Sequence, residues 1–454
     1  MSRPVEKNKI YEVEIIDLNH RGQGVAKLDN FAIFVNNGIP GDIVKVKIVQ
    51  VKKNYGVGEL IEIVKPSENR VEPVSTVANE CGGCQIQNIK YDVQLEMKKN
   101  KVANDIKRIG KLEDVLIHDT IGMKEPFRYR NKGAFPVGEQ KGKVVIGPYK
   151  RGTHEIIDTN RCIIQHEAAD KVIELLREYM EKYNIKPYDE TTGKGIIRHV
   201  MTRVAFKTGD LMVIIVTNGK DLPHKKALVK LLKDNLENLK SIVQNINSRR
   251  TNVILGPKNR TIYGEDKIVD YIDDLKFNIS PQSFFQVNPV QTEILYNKAL
   301  EYADLKGDEV VFDIYCGIGT ISLFLARKAK YVYGIEVVKQ AIIDARENAE
   351  TNGIHNVEFY DGTAEEVFPK LYKQGIKADV VVLDPPRKGC DESVLDTIVQ
   401  MQPKKVVYVS CNPSTLARDL KYLDENGYKT QEIQPVDMFP HTTHVETVVL
   451  IEKK

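Results

Sequence analysis

Two side chains in the last tenth of the chain are suited to chemistry at a ring carbon. Cys411 stands in Ser410-Cys411-Asn412-Pro413-Ser414-Thr415, and Glu446 is a lone acid in the apolar run His444-Val445-Glu446-Thr447-Val448-Val449-Leu450. A thiolate that adds to C6 of a uracil turns C5 into an enolate carbon able to attack an electrophilic methyl. A carboxylate can then take the C5 proton. Cys411 has two competitors. Cys316 lies inside a glycine turn and Cys390 in a charged stretch beyond Asp384-Pro385-Pro386-Arg387, which leaves Cys411, at a strand end, the best placed. A free thiol titrates near about 8.5, so the protein must either lower that value or pass the proton to a neighbour as the bond forms. An acid inside an apolar strand costs several kcal/mol unless it is paired or catalytic, so Glu446 reads as functional.

Upstream is a site for the methyl donor. Val310-Val311-Phe312-Asp313-Ile314-Tyr315-Cys316-Gly317-Ile318-Gly319-Thr320 reads as a buried strand entering a glycine turn and then a helix. It has two glycines where a dinucleotide fingerprint has three, which disfavours hydride chemistry; S-adenosylmethionine carries no pyrophosphate and needs no third glycine. Asp313, Glu336 and Asp361 fall at the ends of three successive strands, where an α/β cleft opens and where carboxylates can meet an ammonium group or ribose hydroxyls. Asp384 follows a fourth strand, and its two prolines fix the backbone where a substrate base must meet the methyl. Gln286, in Ser283-Phe284-Phe285-Gln286-Val287-Asn288, offers an amide to the donor.

These residues must be positioned by a multidomain α/β chain. Its 454 residues, 42% hydrophobic, suffice for two or three cored domains. Short alternating strands from Ile10 to Lys65 predict a small β-barrel of the oligonucleotide-binding kind, with Lys45, Lys47, Lys52 and Lys53 on one strand and its turn. Residues 66–275 predict a central α+β domain, preceded by a proline-bounded linker, a Cys-Gly-Gly-Cys turn and a basic helix over 91–109. Residues 276–454 alternate strand and helix regularly and predict a doubly wound parallel sheet, with 444–451 closing its edge. The net charge of +3 tilts mildly towards the N-terminal part, compatible with an RNA-facing surface. No run approaches the roughly 18 apolar residues of a membrane helix and no signal peptide is visible, so a cytoplasmic, membrane-free, monomeric protein with no DNA partner is expected. Six cysteines in a chain of this length suggest metal or chemistry rather than a disulfide framework.

Asp-x-Tyr-Cys-Gly-x-Gly-Thr, Asp-Pro-Pro-Arg-Lys-Gly, Ser-Cys-Asn-Pro-x-Thr-x-Ala-Arg-Asp and His-Val-Glu occur in that order, and together they resemble the RNA uracil-C5 methyltransferase family over nearly the full length. The resemblance implies a Rossmann-like S-adenosylmethionine-dependent catalytic domain, with Cys411 as nucleophile and Glu446 as base. It implies Gln286, Tyr315, Glu336 and Asp384 as donor contacts, and the turn residue Gly317 and the strand-end acids Asp313 and Asp361 complete the expected donor site. It also implies that residues 1–65 are a TRAM-type barrel holding RNA, and that the segment 92–125 packs on the catalytic domain. The barrel and the cysteines look like the 23S ribosomal RNA branch, with tRNA as the other substrate class. That branch carries four cysteines for a [4Fe-4S] cluster; here Cys81, Cys84 and Cys162 match, but Ser75 stands at the first position, which predicts a labile or incomplete cluster. Arg128-Tyr129-Arg130-Asn131-Lys132 and Arg198-His199 match as well, as a grip for phosphate or a flipped-out base. Two rival readings make different demands. An amino-nitrogen methyltransferase would have no need of Cys411, and an RNA-binding assembly protein with an idle centre would form no covalent adduct.

Overall fold

The computed structural model describes residues 4–454, which divide into two compact units. The first holds the residues up to Lys98 together with Pro148–Ile157 and Phe439–His444. Its strands β1 (Ile10–Leu18), β2 (Gly24–Leu28), β3 (Phe31–Val35), β4 (Ile43–Val51) and β5 (Tyr55–Lys65) form a closed barrel in the order β1-β2-β3-β5-β4. Period-two alternation builds it. Val44, Val46 and Ile48 are fully buried with Ile33, Val35 and Ile15, while Lys45 and Lys47 between them face outward. Lys45 is not a free cation, since it pairs with Glu62 at 2.8 Å. At one end of the barrel the buried Asp42 accepts from the backbone of Ile39 and Ser67 and from the Arg70 guanidinium, which ties the outgoing chain to the barrel.

The second unit contains two large sheets. Helix α1 (Tyr91–Asp105), whose part from Lys99 belongs to this unit, runs into one π-helical turn at Ile106–Gly110, close to the helix expected over 91–109, and the chain then forms the two-residue strand β6 (Leu116–Ile117). Val102 and Ile106 are buried in the core of the C-terminal sheet. The central elements are β7 (Lys132–Gln140), β8 (Lys143–Ile146), α2 (Glu167–Lys182), β9 (Ile197–Val204), β10 (Leu211–Thr217), α3 (Lys225–Asn235), β11 (Leu239–Ile246) and β12 (Lys258–Gly264). They make a six-stranded sheet, β12-β11-β10-β9-β7-β8, with the apolar faces of α2 and α3 on one side. A hairpin of β13 (Ile268–Ile272) and β14 (Leu275–Ile279) follows.

The C-terminal part runs α4 (Pro289–Ala303), β15 (Val310–Ile314), α5 (Thr320–Ala326), β16 (Tyr331–Glu336), α6 (Lys339–Thr351), β17 (Val357–Asp361), α7 (Ala364–Lys373), β18 (Val380–Leu383), α8 (Glu392–Met401), β19 (Lys405–Ser410), α9 (Pro413–Glu425), β20 (Tyr428–Val436) and β21 (Glu446–Lys453). The sheet order is β17-β16-β15-β18-β19-β21-β20-β6, parallel through β19. Strand order reverses between β15 and β18, so the cleft opens at their C-terminal ends. The expectation that the last segment closes the edge is corrected. β21 inserts antiparallel between β19 and β20, and β6 forms the edge. Val448, Val449 and Ile451 are fully buried, as a strand covered on both faces must be. No helix among the described residues is long and apolar enough to cross a membrane.

Candidate active site

Cys411 and Glu446 are brought together by strand register. β19 pairs antiparallel with β21 so that Ser410 faces Thr447; Cys411 follows Ser410 and Glu446 precedes Thr447, and the Glu446 charge acts on the thiol. The chain turns sharply at the thiol. Ser410 Oγ accepts the Asn412 N–H at 3.1 Å, Asn412 caps α9 by accepting from Ser414 N–H at 3.2 Å, and Pro413 occupies the first helical position. Cys411 is half-buried and Glu446 nearly fully buried. Burial, then the charges of Glu446 and Asp384, push the thiol up to about 11, and Arg387 opposes them. Burial and Asp384 likewise hold the Glu446 carboxyl well above the ordinary carboxylate range, again opposed by Arg387. Thiol, two carboxyls and one guanidinium therefore share one electrostatic neighbourhood.

The loop carrying Asp384 and Arg387 is bolted to the helix that follows Cys411. Asn412 Nδ2 and Thr415 Oγ1 donate to the Arg387 carbonyl at 2.9 and 3.2 Å. Arg418 donates to the carbonyls of Lys388 and Cys390 at 3.1 and 3.2 Å. Buried Asp419 accepts from the Cys390 N–H, the Tyr408 hydroxyl and the Arg418 guanidinium at 2.9, 2.6 and 2.8 Å. Arg418 and Asp419 thus act on the loop, and Cys390 is a buried part of this clamp, its thiol pushed up to about 12 chiefly by burial.

On the donor side, Glu336 and Asp361 are direct cross-strand partners at the ends of β16 and β17. Glu336 accepts the N–H groups of Gly317 and Val338 at 3.2 and 2.8 Å, so its carboxylate ties the glycine turn to the end of β16. Asp361 is exposed. Gly317 has φ +56°, and a Cβ there would meet nothing within 4 Å, so the turn leaves open space beside it. Asp313 differs from its expected place. It lies within β15, fully buried, where it accepts from Ser322 Oγ and leaves its other oxygen without a hydrogen-bond partner. Burial pushes its carboxyl up to about 7. Asp384, just past β18, is also pushed up to about 7 by burial and by Asp313.

Tyr315 sits at φ +73°, a left-handed conformation unusual for an aromatic residue, and the Ile335 carbonyl anchors it by accepting the N–H groups of Tyr315 and Cys316 at 2.9 and 3.0 Å. Its ring packs against the sheet core, and its hydroxyl lies beside Cys390. Only its backbone belongs to the turn. Sequence reasoning missed Tyr296 on α4. This residue is 2% exposed; its hydroxyl is 2.9 Å from Thr320 Oγ1 and lies beside Gln286, Asp384 and Asp313. It was hidden because a tyrosine at a helical apolar position reads as core. Gln286 is half-buried on a loop held by Asn131, whose side chain donates to the Gln286 carbonyl at 2.9 Å. On that loop Phe285 is buried, whereas Phe284 is 63% exposed.

The cysteines expected at a cluster are placed as follows. Cys84 is buried and Cys81 half-buried, and both act electrostatically on the half-buried Arg151 guanidinium. Ser75 is held through its N–H, which donates to Gln87 Oε1 at 2.9 Å. Cys162 donates its N–H to Asp170 at 2.9 Å and accepts at its carbonyl from Arg128 at 2.7 Å. Among the described residues no three His, Cys, Asp or Glu side chains are grouped as metal ligands. Three thiols and a hydroxyl do not match the four-thiolate donor set of a [4Fe-4S] cluster.

A family model described as tRNA (uracil-5-)-methyltransferase matches residues 90–454, and a TRAM-domain model matches residues 4–61. An uncharacterized RNA methyltransferase of Clostridium tetani is 54% identical over 448 residues, 99% of this chain and 97% of that protein. An uncharacterized RNA methyltransferase of Caldanaerobacter subterraneus is 53% identical over 98% of both chains. Among solved structures, Pyrococcus abyssi tRNA (uracil-54, C5)-methyltransferase in complex with S-adenosyl-L-homocysteine superposes with a TM-score of 0.80 at 30% identity, covering 97% of this chain and 100% of that one.

Proposed function

Since the chain belongs to the tRNA (uracil-5-)-methyltransferase family, we propose that it moves a methyl group from S-adenosylmethionine to C5 of one uridine in structured RNA, through a transient bond between Cys411 Sγ and C6. The observation that supports this reading is the pairing of Ser410 with Thr447, which leaves Cys411 and Glu446 on adjacent chain ends, with the Glu446 charge acting on the thiol. Burial disfavours the ionised forms of both groups. When bound, S-adenosylmethionine supplies an electrophilic methyl on a sulfonium cation, and a positive charge favours the ionised forms of both. Arg387 acts in the same direction. Cys411 thiolate adds at C6, the ring electrons pass to C5 and O4, and C5 takes the methyl as its bond to the donor sulfur breaks, the pair remaining on sulfur as a neutral thioether. Glu446 carboxylate then removes the C5 proton, and the returning electron pair expels the thiolate, so one proton leaves per methyl transferred. Glu336, Gln286 and the open turn at Gly317 hold the donor; Asp384 lies between donor and base. A target base must leave its stack to reach a half-buried thiol, and the exposed ring of Phe284, two residues from Gln286, offers it a stacking surface. No step is assigned to an iron–sulfur cluster.

We infer 23S rRNA as the substrate class, supported by the likeness of the N-terminal motifs to the ribosomal branch. A specific observation favours tRNA as the second: the P. abyssi tRNA enzyme covers 97% of this chain, so the barrel is shared with a tRNA-modifying protein and does not separate the two classes. Incubation with donor and with 5-fluorouridine-substituted 23S rRNA and tRNA transcripts tests both points. One of the two should trap a denaturation-resistant protein–RNA adduct, and Cys411→Ala should abolish it together with at least about 10⁴-fold of methyl transfer. Undiminished methylation by Cys411→Ala would sink the covalent route.

A further inference from the structure

Of the basic residues in the two family-matched segments, most are already committed. Arg128 pairs with Asp170 at 2.8 Å and donates to the carbonyls of Cys162 and Gln165. Arg198 is spent on the carbonyls of Asn247, Arg249 and Thr251, and its guanidinium lies 4.2 Å from the centroid of the Tyr188 ring. His199 is buried and pushed down to about 4, so it carries no charge at neutral pH. Lys132 and Arg130 remain. Strand register sets Lys132 directly opposite Arg203, which is 5% exposed and has no hydrogen-bond partner at Nε. Lys132 is itself half-buried, and the charges that act on it are those of Arg203 and Arg130, both repulsive. Among the described residues none of the three forms an ion pair with a carboxylate. Three cations gathered at a partly desolvated place with no anion is a costly arrangement, and an anionic ligand is what relieves it.

The position of the trio says which anion. Arg203 donates to the carbonyls of Pro281 and Ser283 at 3.2 and 2.5 Å, and Asn131, next to Lys132, bonds the carbonyls of Gln286 and Val287. The cations therefore stand at the root of the loop that displays Phe284 and Gln286. A nucleotide that swings its base onto that loop brings its own backbone charge with it. We propose that Lys132, with Arg130, is a binding site for one RNA backbone phosphate, that of the flipped nucleotide, with the buried charge of Arg203 behind them. This rests on the uridine-methylating reading above and adds a named contact to it.

A phosphate and the carboxylate of the donor share the same chemistry, and Lys132→Met separates them. RNA affinity of the full-length protein, measured with 23S rRNA and tRNA transcripts over a series of KCl concentrations, should fall by about tenfold or more. The dependence of log K on log salt should become shallower by about 0.7 to 0.9. Affinity for S-adenosylhomocysteine should not change, and thermal stability should hold or rise, because a repelled charge has been removed. Lys132→Arg should restore RNA binding. An unchanged RNA affinity and salt slope would overturn the proposal, as would a loss confined to S-adenosylhomocysteine or a fall in stability that accounts for the weaker binding. If the wild-type protein forms no C5-methylated uridine yet Lys132→Met shows the expected slope, the uridine reading fails while the phosphate site stands.

Discussion

The two sides of the cleft are built on opposite electrostatic plans. At the ends of β16 and β17, Glu336 has both carboxylate oxygens engaged by backbone N–H groups and Asp361 is open to solvent. Across the switch point, Asp384, Cys411 and Glu446 crowd together with the exposed Arg387 to offset them, and all three are displaced upward. Groups that only hold a ligand can be satisfied before it arrives. Groups that must change protonation during a reaction are kept short of partners, so that ligand charge decides their state.

The comparison breaks most sharply at Glu446. Glu446→Gln keeps the size and the strand but cannot take a proton, so addition and methyl transfer proceed while elimination stalls. Turnover should fall by roughly 10² to 10⁴. With ordinary uridine RNA, rather than the fluorinated analogue, a methylated covalent complex should build up on denaturing gels. Glu336→Gln, on the satisfied side, should instead raise the donor Kd and leave the trapped species absent. If Glu446→Gln loses activity without accumulating adduct, the base lies elsewhere.

Tyr296 sharpens the comparison because it touches both sides. Its hydroxyl bonds Thr320 on the glycine turn and faces Asp384 and Gln286. Tyr296→Phe should raise the donor KM about tenfold with a smaller change in kcat, measured under saturating RNA. An effect on kcat alone would move Tyr296 into the chemistry instead. That a residue in this position escaped the sequence reading has a physical cause. Cys411, Glu446, Glu336 and Asp384 were legible because each is a polar exception at the end of an apolar strand. Tyr296 follows the apolar rhythm of α4, and its polar tip shows only when the strands are stacked. The barrel and the parallel sheet were equally legible from period-two alternation and from regular strand–helix order. β20 was not, because its sequence Tyr428-Lys429-Thr430-Gln431-Glu432 is polar for a strand, and so the register that pairs β21 between two neighbours could not be read. The isolation of Lys132 is likewise a property of the fold, since a basic segment looks the same whether its charges are paired or not.

The smallest effect concerns stability rather than turnover, and it separates the buried acid of the donor side from the exposed ones. Asp313 is fully buried and titrates near about 7 in the folded chain, against an unfolded value of 3.8. The folded state therefore binds this proton more tightly than the unfolded state. Its contribution is complete below the unfolded value and is lost as pH rises through the folded one. The ligand-free protein should lose thermal stability between about pH 4 and pH 8. Asp313→Asn, which cannot ionise, should match the wild type at the acid end and exceed it by roughly 5 °C at the alkaline end. Asp361→Asn, at an exposed strand end, should leave the pH profile of the wild type unaltered. A wild-type profile that is flat over this range, or equal displacement by both variants, would mean that Asp313 is ionised and partnered in the folded state, and the contrast between satisfied and unsatisfied acids would then have to be drawn at Asp384 alone.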